Sequence, residues 1–431
     1  MEFVSVIFQN HWKLIASTFT ISKFLWDFYL HNRQLKKVEQ TEVQFSTEQT
    51  DLVVNDKSSQ ALSNLKDLLR LHTDKLGFDL IRNLIIINFN VYHKIWTVSG
   101  TINELLSFIL PINSVSQTVL FSVVSNGLLF SWGIPIQFYS EYFVSKFPKQ
   151  EPPLKWLVYN FSKFVLKCIG DSFKIFGFLM LAKFAKSFPI WQISLGFLVY
   201  TIVKVSLTPL FVKIVFPGYL KPLPKGELKD ELTKVCAEVG YDPESIYLSD
   251  FFGGIGYNYL PNCVLANERL IDKFTTKEYS SKVLSVIFTI TLNANLNQKL
   301  RETAELYVNL LFFDYFFIND NTILTQFGFT GNQDDLIFIK YLIFNQIFLP
   351  FNLVIKSLQK YIDRLHNQQL DEETYEIYKQ IFINSLKKTQ NNNDLLVFES
   401  DYLYNIYYTN LPDIGRRIKY LEQLDKVEKI D

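Results

Sequence analysis

The chain has 431 residues, with 40 Phe, 23 Tyr and 6 Trp, and its 43 basic and 43 acidic side chains cancel. Hydrophobic residues make up 48% and charged residues 20%. Long apolar runs separated by clustered charge argue against a soluble globular enzyme and for a polytopic membrane protein, and zero net charge gives no electrostatic reason to expect nucleic acid as a partner.

A membrane helix needs about 20 mostly apolar residues to cross roughly 30 Å of hydrocarbon. Seven stretches are predicted to do so: 12–31, 84–110, 117–140, 156–182, 189–216, 303–319 and 335–357. Pro111 ends the second, and Pro189 and Pro217 bracket the fifth. The first holds Lys23 and Asp27, has no basic segment before it and no small-residue cleavage site after it, so it reads as a retained signal anchor. Arg33, Lys36 and Lys37 follow it, whereas 111–117 and 320–334 carry no Lys or Arg. Basic residues mark cytosolic connections, so the N-terminus is expected in the lumen and the C-terminus in the cytosol.

The expected organisation is therefore spans one to five over 1–217, with a cytosolic loop at 32–83; a cytosolic domain at 218–302; spans six and seven within 303–357; and a cytosolic helical region at 358–431. In 218–302 the apolar spacing of Leu228, Leu232, Val235 and Val239 predicts a helix over about 227–239, with Gly240 closing it. Ile246–Leu248 and Val264–Leu265 read as short strands, and 278–300 as a second helix. An Asn-rich break at Asn391–Asn393 interrupts the tail.

Cys168, Cys236 and Cys263 lie far apart, so neither a disulfide framework nor a thiolate zinc site is suggested. Four acids fall within predicted spans: Asp27, Glu104, Asp171 and Asp314. Asp171 and Asp314 invite comparison with a two-carboxylate intramembrane protease, but Cys168 stands where a G-x-G-D motif needs glycine. These acids are better read as facing a hydrated chamber or pairing with Lys23, Lys163, Lys167 or Lys174.

Several segments together resemble one family. They are His11-Trp12-Lys13-Leu14-Ile15, Tyr29 with Arg33-Gln34, Lys94-Ile95-Trp96, Leu110-Pro111, Gly226-Glu227-Leu228-Lys229 through Val239-Gly240-Tyr241, Ile246-Tyr247, and Pro412, Arg417 and Leu421. In order and spacing, over nearly the whole chain, they are similar to the type 1 integral-membrane CAAX prenyl protease, a zinc metalloprotease. The resemblance implies an α-helical membrane cage around a chamber, with a small mixed α/β cytosolic domain. It implies residence in the endoplasmic reticulum or nuclear envelope, and contact with the lipid bilayer and prenylated or other membrane clients. It also implies zinc held by H-E-x-x-H, where two histidines share one helical face, the Glu is the general base and a later Glu is the third ligand.

This chain departs from that pattern. The motif positions read Thr289-Ile290-Thr291-Leu292-Asn293, with Thr289 and Asn293 for the histidines and Ile290 for the base. The five histidines are His11, His31, His72, His93 and His366, and no two are four residues apart. Asn367 stands at the third ligand, Leu411 at a family histidine and Arg416 at a family Glu, while His366, Asp371 and Arg417 persist. The expectation is a catalytically inactive homologue with no zinc. The alternatives are an active CAAX endopeptidase with a displaced site, and an unrelated membrane component.

Overall fold

The computed structural model describes residues 11–47, 56–144, 152–185, 221–249, 263–291, 294–318, 322–330, 336–392 and 400–428, with isolated positions in 192–203. The described elements, in chain order, begin with α1 (Trp12–Thr47), α2 (Asp56–Asn88), α3 (Val91–Leu105), α4 (Ser114–Tyr139) and α5 (Pro153–Ala185). Then come β1 (Lys221–Pro222), α6 (Glu227–Glu238), β2 (Ile246–Ser249), β3 (Val264–Asn267) and α7 (Thr276–Thr291). The chain continues with α8 (Ala294–Phe313), α9 (Thr322–Gln326), α10 (Ile337–Ile347) and α11 (Leu349–Tyr378). It closes with α12 (Gln380–Asn392), α13 (Tyr402–Tyr408) and α14 (Ile414–Glu428).

Two compact units form. One comprises Met1–Gln44, Leu62–Ile193 and Tyr307–Ile355; the other comprises Phe45–Ala61, Ser194–Leu306 and Lys356–Asp431.

The first unit is built from long helices. α4 starts at Asn113, whose side chain accepts from the Ser116 amide at 2.8 Å and so caps an otherwise unpaired donor. Its core gathers Trp12, Ile87, Phe121, Phe313, Phe327 and Phe344. The expected second span is broken between α2 and α3. Asn90 there takes a left-handed backbone (φ 54°), a conformation Asn tolerates better than most residues. Lys13 Nζ donates to Asn90 Oδ1 at 2.6 Å, and a Cβ on Gly328 would come within 3.1 Å of the Asn90 amide, so the break is locked by neighbours.

The expected seventh span also bends. α10 and α11 meet at 65°. Pro350, in the first turn of α11, has no N–H and its ring opposes a continuous helix.

Among the described residues, Ser114–Phe143 is the helix long and apolar enough to cross a membrane, and the bent α10–α11 pair passes together. Only 11% of the Ser114–Phe143 window is buried, so its apolar surface faces outward. The other stretches depart from an uninterrupted apolar run for identifiable reasons. α1 carries Lys23 and Asp27, α5 carries Lys163, Lys167, Asp171 and Lys174, and α8 carries Arg301, Glu302 and Glu305 in its middle. The fifth stretch, 189–216, lies mostly outside the described residues. Outward-facing Phe161, Leu166 and Phe173 on α5 still present an apolar surface of the kind a bilayer covers.

The second unit contains a three-stranded sheet in the order β1-β2-β3, antiparallel between β1 and β2 and parallel between β2 and β3. Ile246 and Leu248 of β2 and Val264 and Ala266 of β3 are buried with Leu232 of α6, Val283 and Ile287 of α7, Phe382 of α12 and Leu421 of α14. Gly240 takes φ 68° just past α6, and the Tyr241 amide returns to the Cys236 carbonyl at 2.9 Å. That left-handed closure suits glycine, so the expected helix end is found. The expected helix over 278–300 is instead two, α7 and α8, with 292–293 outside the described residues.

Candidate functional site

The site positions named in the sequence lie on α7, on α11 and on the segment running into α14. α7 is anchored at its N-terminal end. At its start Thr275 and Glu278 cap each other: the Thr275 amide donates to Glu278 Oε2 at 2.8 Å, and the Glu278 amide donates to Thr275 Oγ1 at 3.3 Å. Burial alone would raise the Glu278 pKa, but bonds from Thr275 and Lys388 outweigh it and hold the carboxyl below its ordinary value. Tyr279 Oη donates to the Asn267 carbonyl at 3.0 Å and ties the helix to β3.

Lys282 points into this packing, where its Nζ bonds Thr389 Oγ1 on α12 and lies 4.7 Å from the centre of the Phe274 ring. Burial, reinforced by the Arg417 charge and opposed by Glu278, pushes the Lys282 pKa down to about 8.

Thr289 sits near the end of α7. It is 7% exposed, and its Oγ1 donates to the Ser285 carbonyl at 3.1 Å within the same helix. Ile290 packs against the second unit's core. Asn293 lies outside the described residues.

On α11, Asp363 pairs with Arg301 of α8. One turn later Asn367 Nδ2 donates to the Asp363 carbonyl at 2.7 Å and to the Asn410 carbonyl at 3.4 Å. The neighbouring His366 has a buried Nε2 with no hydrogen-bond partner among the described residues. Burial lowers its pKa, Arg301 pushes the same way and Asp363 opposes. Leu411 is exposed, and its carbonyl accepts from Thr409 Oγ1 at 2.8 Å.

Asp371 and Arg417 meet. Arg417 Nε donates to Asp371 Oδ2 at 2.7 Å and Nη2 to Oδ1 at 2.5 Å, a two-pronged pair joining α11 to α14. Arg416 donates to the Ser400 carbonyl at 2.8 Å. The structure thus brings Asn367 beside Asn410 and Asp371 onto Arg417. Thr289 makes its side-chain bond within α7.

Sequence reasoning missed Asn405 and Asp413, and read Arg364 only as part of a family-like R-x-H segment ending at Asp371. Arg364 Nη2 bonds Asn405 Oδ1 at 2.7 Å and Thr409 Oγ1 at 3.0 Å, and Asp413 Oδ1 accepts from Asn405 Nδ2 at 2.8 Å. Nothing in the sequence marks Arg364 as buried, because an arginine on a charged helix carries no such sign.

Two of the four acids within the expected spans are paired. Asp27 Oδ2 is 2.6 Å from Lys23 Nζ, and Asp171 Oδ1 is 3.0 Å from Lys174 Nζ. Asp171 Oδ2 also accepts from Asn126 Nδ2 at 3.3 Å. An ion-paired, hydrogen-bonded Asp171 is a poor match to a protease carboxylate that must share a proton with a second acid.

The chain shares 24% identity over 454 residues with CAAX prenyl protease 1 of Saccharomyces cerevisiae, covering 97% of each. Its homologues are CAAX prenyl proteases 1. Probable CAAX prenyl protease 1 of Schizosaccharomyces pombe is 22% identical over 446 residues, covering 95% of this chain and 88% of that protein. The crystal structure of S. mikatae Ste24p superposes with a TM-score of 0.77 at 21% identity, over 95% of this chain and 99% of that one. The fold is Ste24p-like. No family model matches the chain.

The zinc that the resemblance implies finds a poor donor set. Among the described residues no group of three or more His, Cys, Asp and Glu could hold a metal ion. Thr289 and Asn367 offer a neutral hydroxyl and a neutral amide, and the Asn367 nitrogen already serves two backbone carbonyls. The residues at these positions do not fit zinc, and no step through a metal is derived from them.

Proposed function

We propose that this chain is a catalytically inactive homologue of the CAAX prenyl protease, embedded in the endoplasmic reticulum or nuclear envelope membrane, that holds prenylated or other membrane clients without cutting them. The observation that carries this reading is the histidine inventory. No two of five histidines stand four apart, and only His366 follows residue 93. A helix-borne H-E-x-x-H cannot be assembled from such a chain in any register. Without zinc to lower the pKa of a bound water, nothing at these positions generates a hydroxide at neutral pH.

The rest of the protein is in keeping with a retained framework. About seven spans, with the N-terminus lumenal and the C-terminus cytosolic, would enclose the chamber. α7, β2 and β3 are packed around an intact core, and Asp371 and Arg417 still join α11 to α14.

The test is a two-part assay on purified chain with a farnesylated CAAX peptide bearing a photo-crosslinker. Crosslinking without cleavage is the expected result. Chelator-sensitive cleavage would overturn the proposal. A displaced site would have to recruit His366, whose Nε2 has no partner among the described residues. His366→Ala separates the two readings: an inactive holder keeps its crosslinking yield, and a displaced-site enzyme loses its cleavage.

A further inference from the structure

The first unit contains a cavity of about 430 Å3 whose walls come from α2 and the last third of α4. α2 contributes His72, Lys75, Phe78, Asp79 and Arg82, and α4 contributes Trp132, Gly133 and Gln137. The cavity has more cationic than anionic groups. Asp79 Oδ1 is held by Arg82 Nη1 at 2.8 Å, and Arg82 Nη2 reaches Asn83 Oδ1 at 3.4 Å. Lys75 is exposed and pairs with no acid among the described residues. The His72 ring is 6.1 Å from that of His31. Burial first, then the His31 and Lys75 charges, lowers the His72 pKa.

Two donors on these walls have no acceptor. Arg82 Nε and Trp132 Nε1 are both buried without a hydrogen-bond partner among the described residues. Buried N–H groups are nearly always paired in folded proteins, so two orphans beside one cavity call for oxygen atoms supplied from outside the chain. Phosphate oxygens suit a set made of a guanidinium, an ammonium and an indole N–H.

The position narrows the source. Among the described residues Ser114–Phe143 is the helix long and apolar enough to cross a membrane, Gln137 lies toward its end, and Lys75 and Arg82 lie just before the expected second span. Basic pockets between helices at the depth where headgroups meet acyl chains receive anionic headgroups. The Phe78 and Trp132 rings, 4.9 Å apart, give the cavity an apolar wall beside its cations. We infer that this cavity binds the phosphate of an anionic phospholipid headgroup. The inference rests on the membrane-embedded reading above, not on loss of catalysis.

The test uses the full chain, purified in detergent, stripped of lipid and titrated with phosphatidic acid or phosphatidylcholine under native mass spectrometry. Wild type is expected to retain phosphatidic acid over phosphatidylcholine. Lys75→Gln removes a cation, and Gly133→Leu fills the space, since a Cβ there meets no atom within 4 Å. Each is expected to weaken phosphatidic acid binding about tenfold or more. Lys163→Gln, whose amine lies over the Tyr159 ring on α5, is expected to leave it unchanged. Equal retention of the two lipids, or unchanged binding in both cavity variants, overturns the inference. Displacement of the lipid by micromolar inorganic phosphate overturns the lipid source in favour of free phosphate. Recovery of the chain from the aqueous phase without detergent would instead defeat the membrane reading, a distinguishable outcome.

Discussion

Arg417 of α14 grips Asp371 of α11 through two parallel hydrogen bonds, at 2.7 and 2.5 Å, with the two side chains only 15% and 7% exposed. Removing one partner leaves the other charge nearly buried and unpaired. Arg417→Ala or Asp371→Ala is expected to destabilise the second unit by about 3 kcal/mol. The double variant is expected to lose clearly less than the sum of the two. Thermal unfolding in detergent checks both; additive losses would show that the pair is not coupled.

The cap on α7 gives a smaller and more local effect. Thr275→Ala deletes one arm of the reciprocal bond with Glu278 and is expected to cost about 1 kcal/mol. Because the Glu278 carboxyl is held below its ordinary value, its contribution is present above the unfolded carboxylate range and fades as pH falls through the folded value. Thr275→Ala should therefore melt earlier than wild type at pH 7, and the gap between wild type and Glu278→Gln should narrow in acid. A gap that widens in acid would refute the cap.

Lys282 predicts a slope of the same sign in a second window, at high pH. Its pKa falls from 10.5 to about 8 in the folded chain. Below pH 8 the amine is charged in both states, and the folded state bears the whole cost of housing it. Between about 8 and 10.5 the unfolded chain keeps a proton that the folded chain has released, so stability rises with pH across that window. Lys282→Met should flatten this rise. A melting curve whose pH dependence there is identical in variant and wild type would contradict the assignment.

Much of the second unit was legible in the sequence because its signals are local. The apolar spacing from Leu228 to Val239, the closing Gly240 and the short runs at Ile246 and Val264 each act over a few residues. Helix breaks were harder to see. Asn90 ends α2 in a left-handed backbone beside Lys13, which bonds its side chain, and Gly328, whose lack of a side chain leaves it room, and both are distant in sequence. Pro350 did mark the α10–α11 bend, but the apolar run around it hid the change of direction. At the site, Thr289, Ile290 and Asn367 were readable only as positions that the family resemblance points to. The Arg364–Asn405–Asp413 cluster was not, because its three polar residues find one another only after α11 and α13 pack.

Reinstating the lost ligands tests the positions themselves. A variant carrying Thr289→His, Ile290→Glu, Asn293→His and Asn367→Glu is expected to acquire one zinc per chain. Restored metal without restored cleavage would still support the positional assignment. A folded quadruple variant that binds no zinc would show that these are not the ligand positions.

The most direct test of the central claim is zinc content of the detergent-purified wild-type chain, measured by elemental mass spectrometry beside a CAAX prenyl protease with an intact H-E-x-x-H. The account predicts far less than one zinc per chain here and about one in the control. One tightly bound zinc per wild-type chain would contradict it and require a metal site built from other residues.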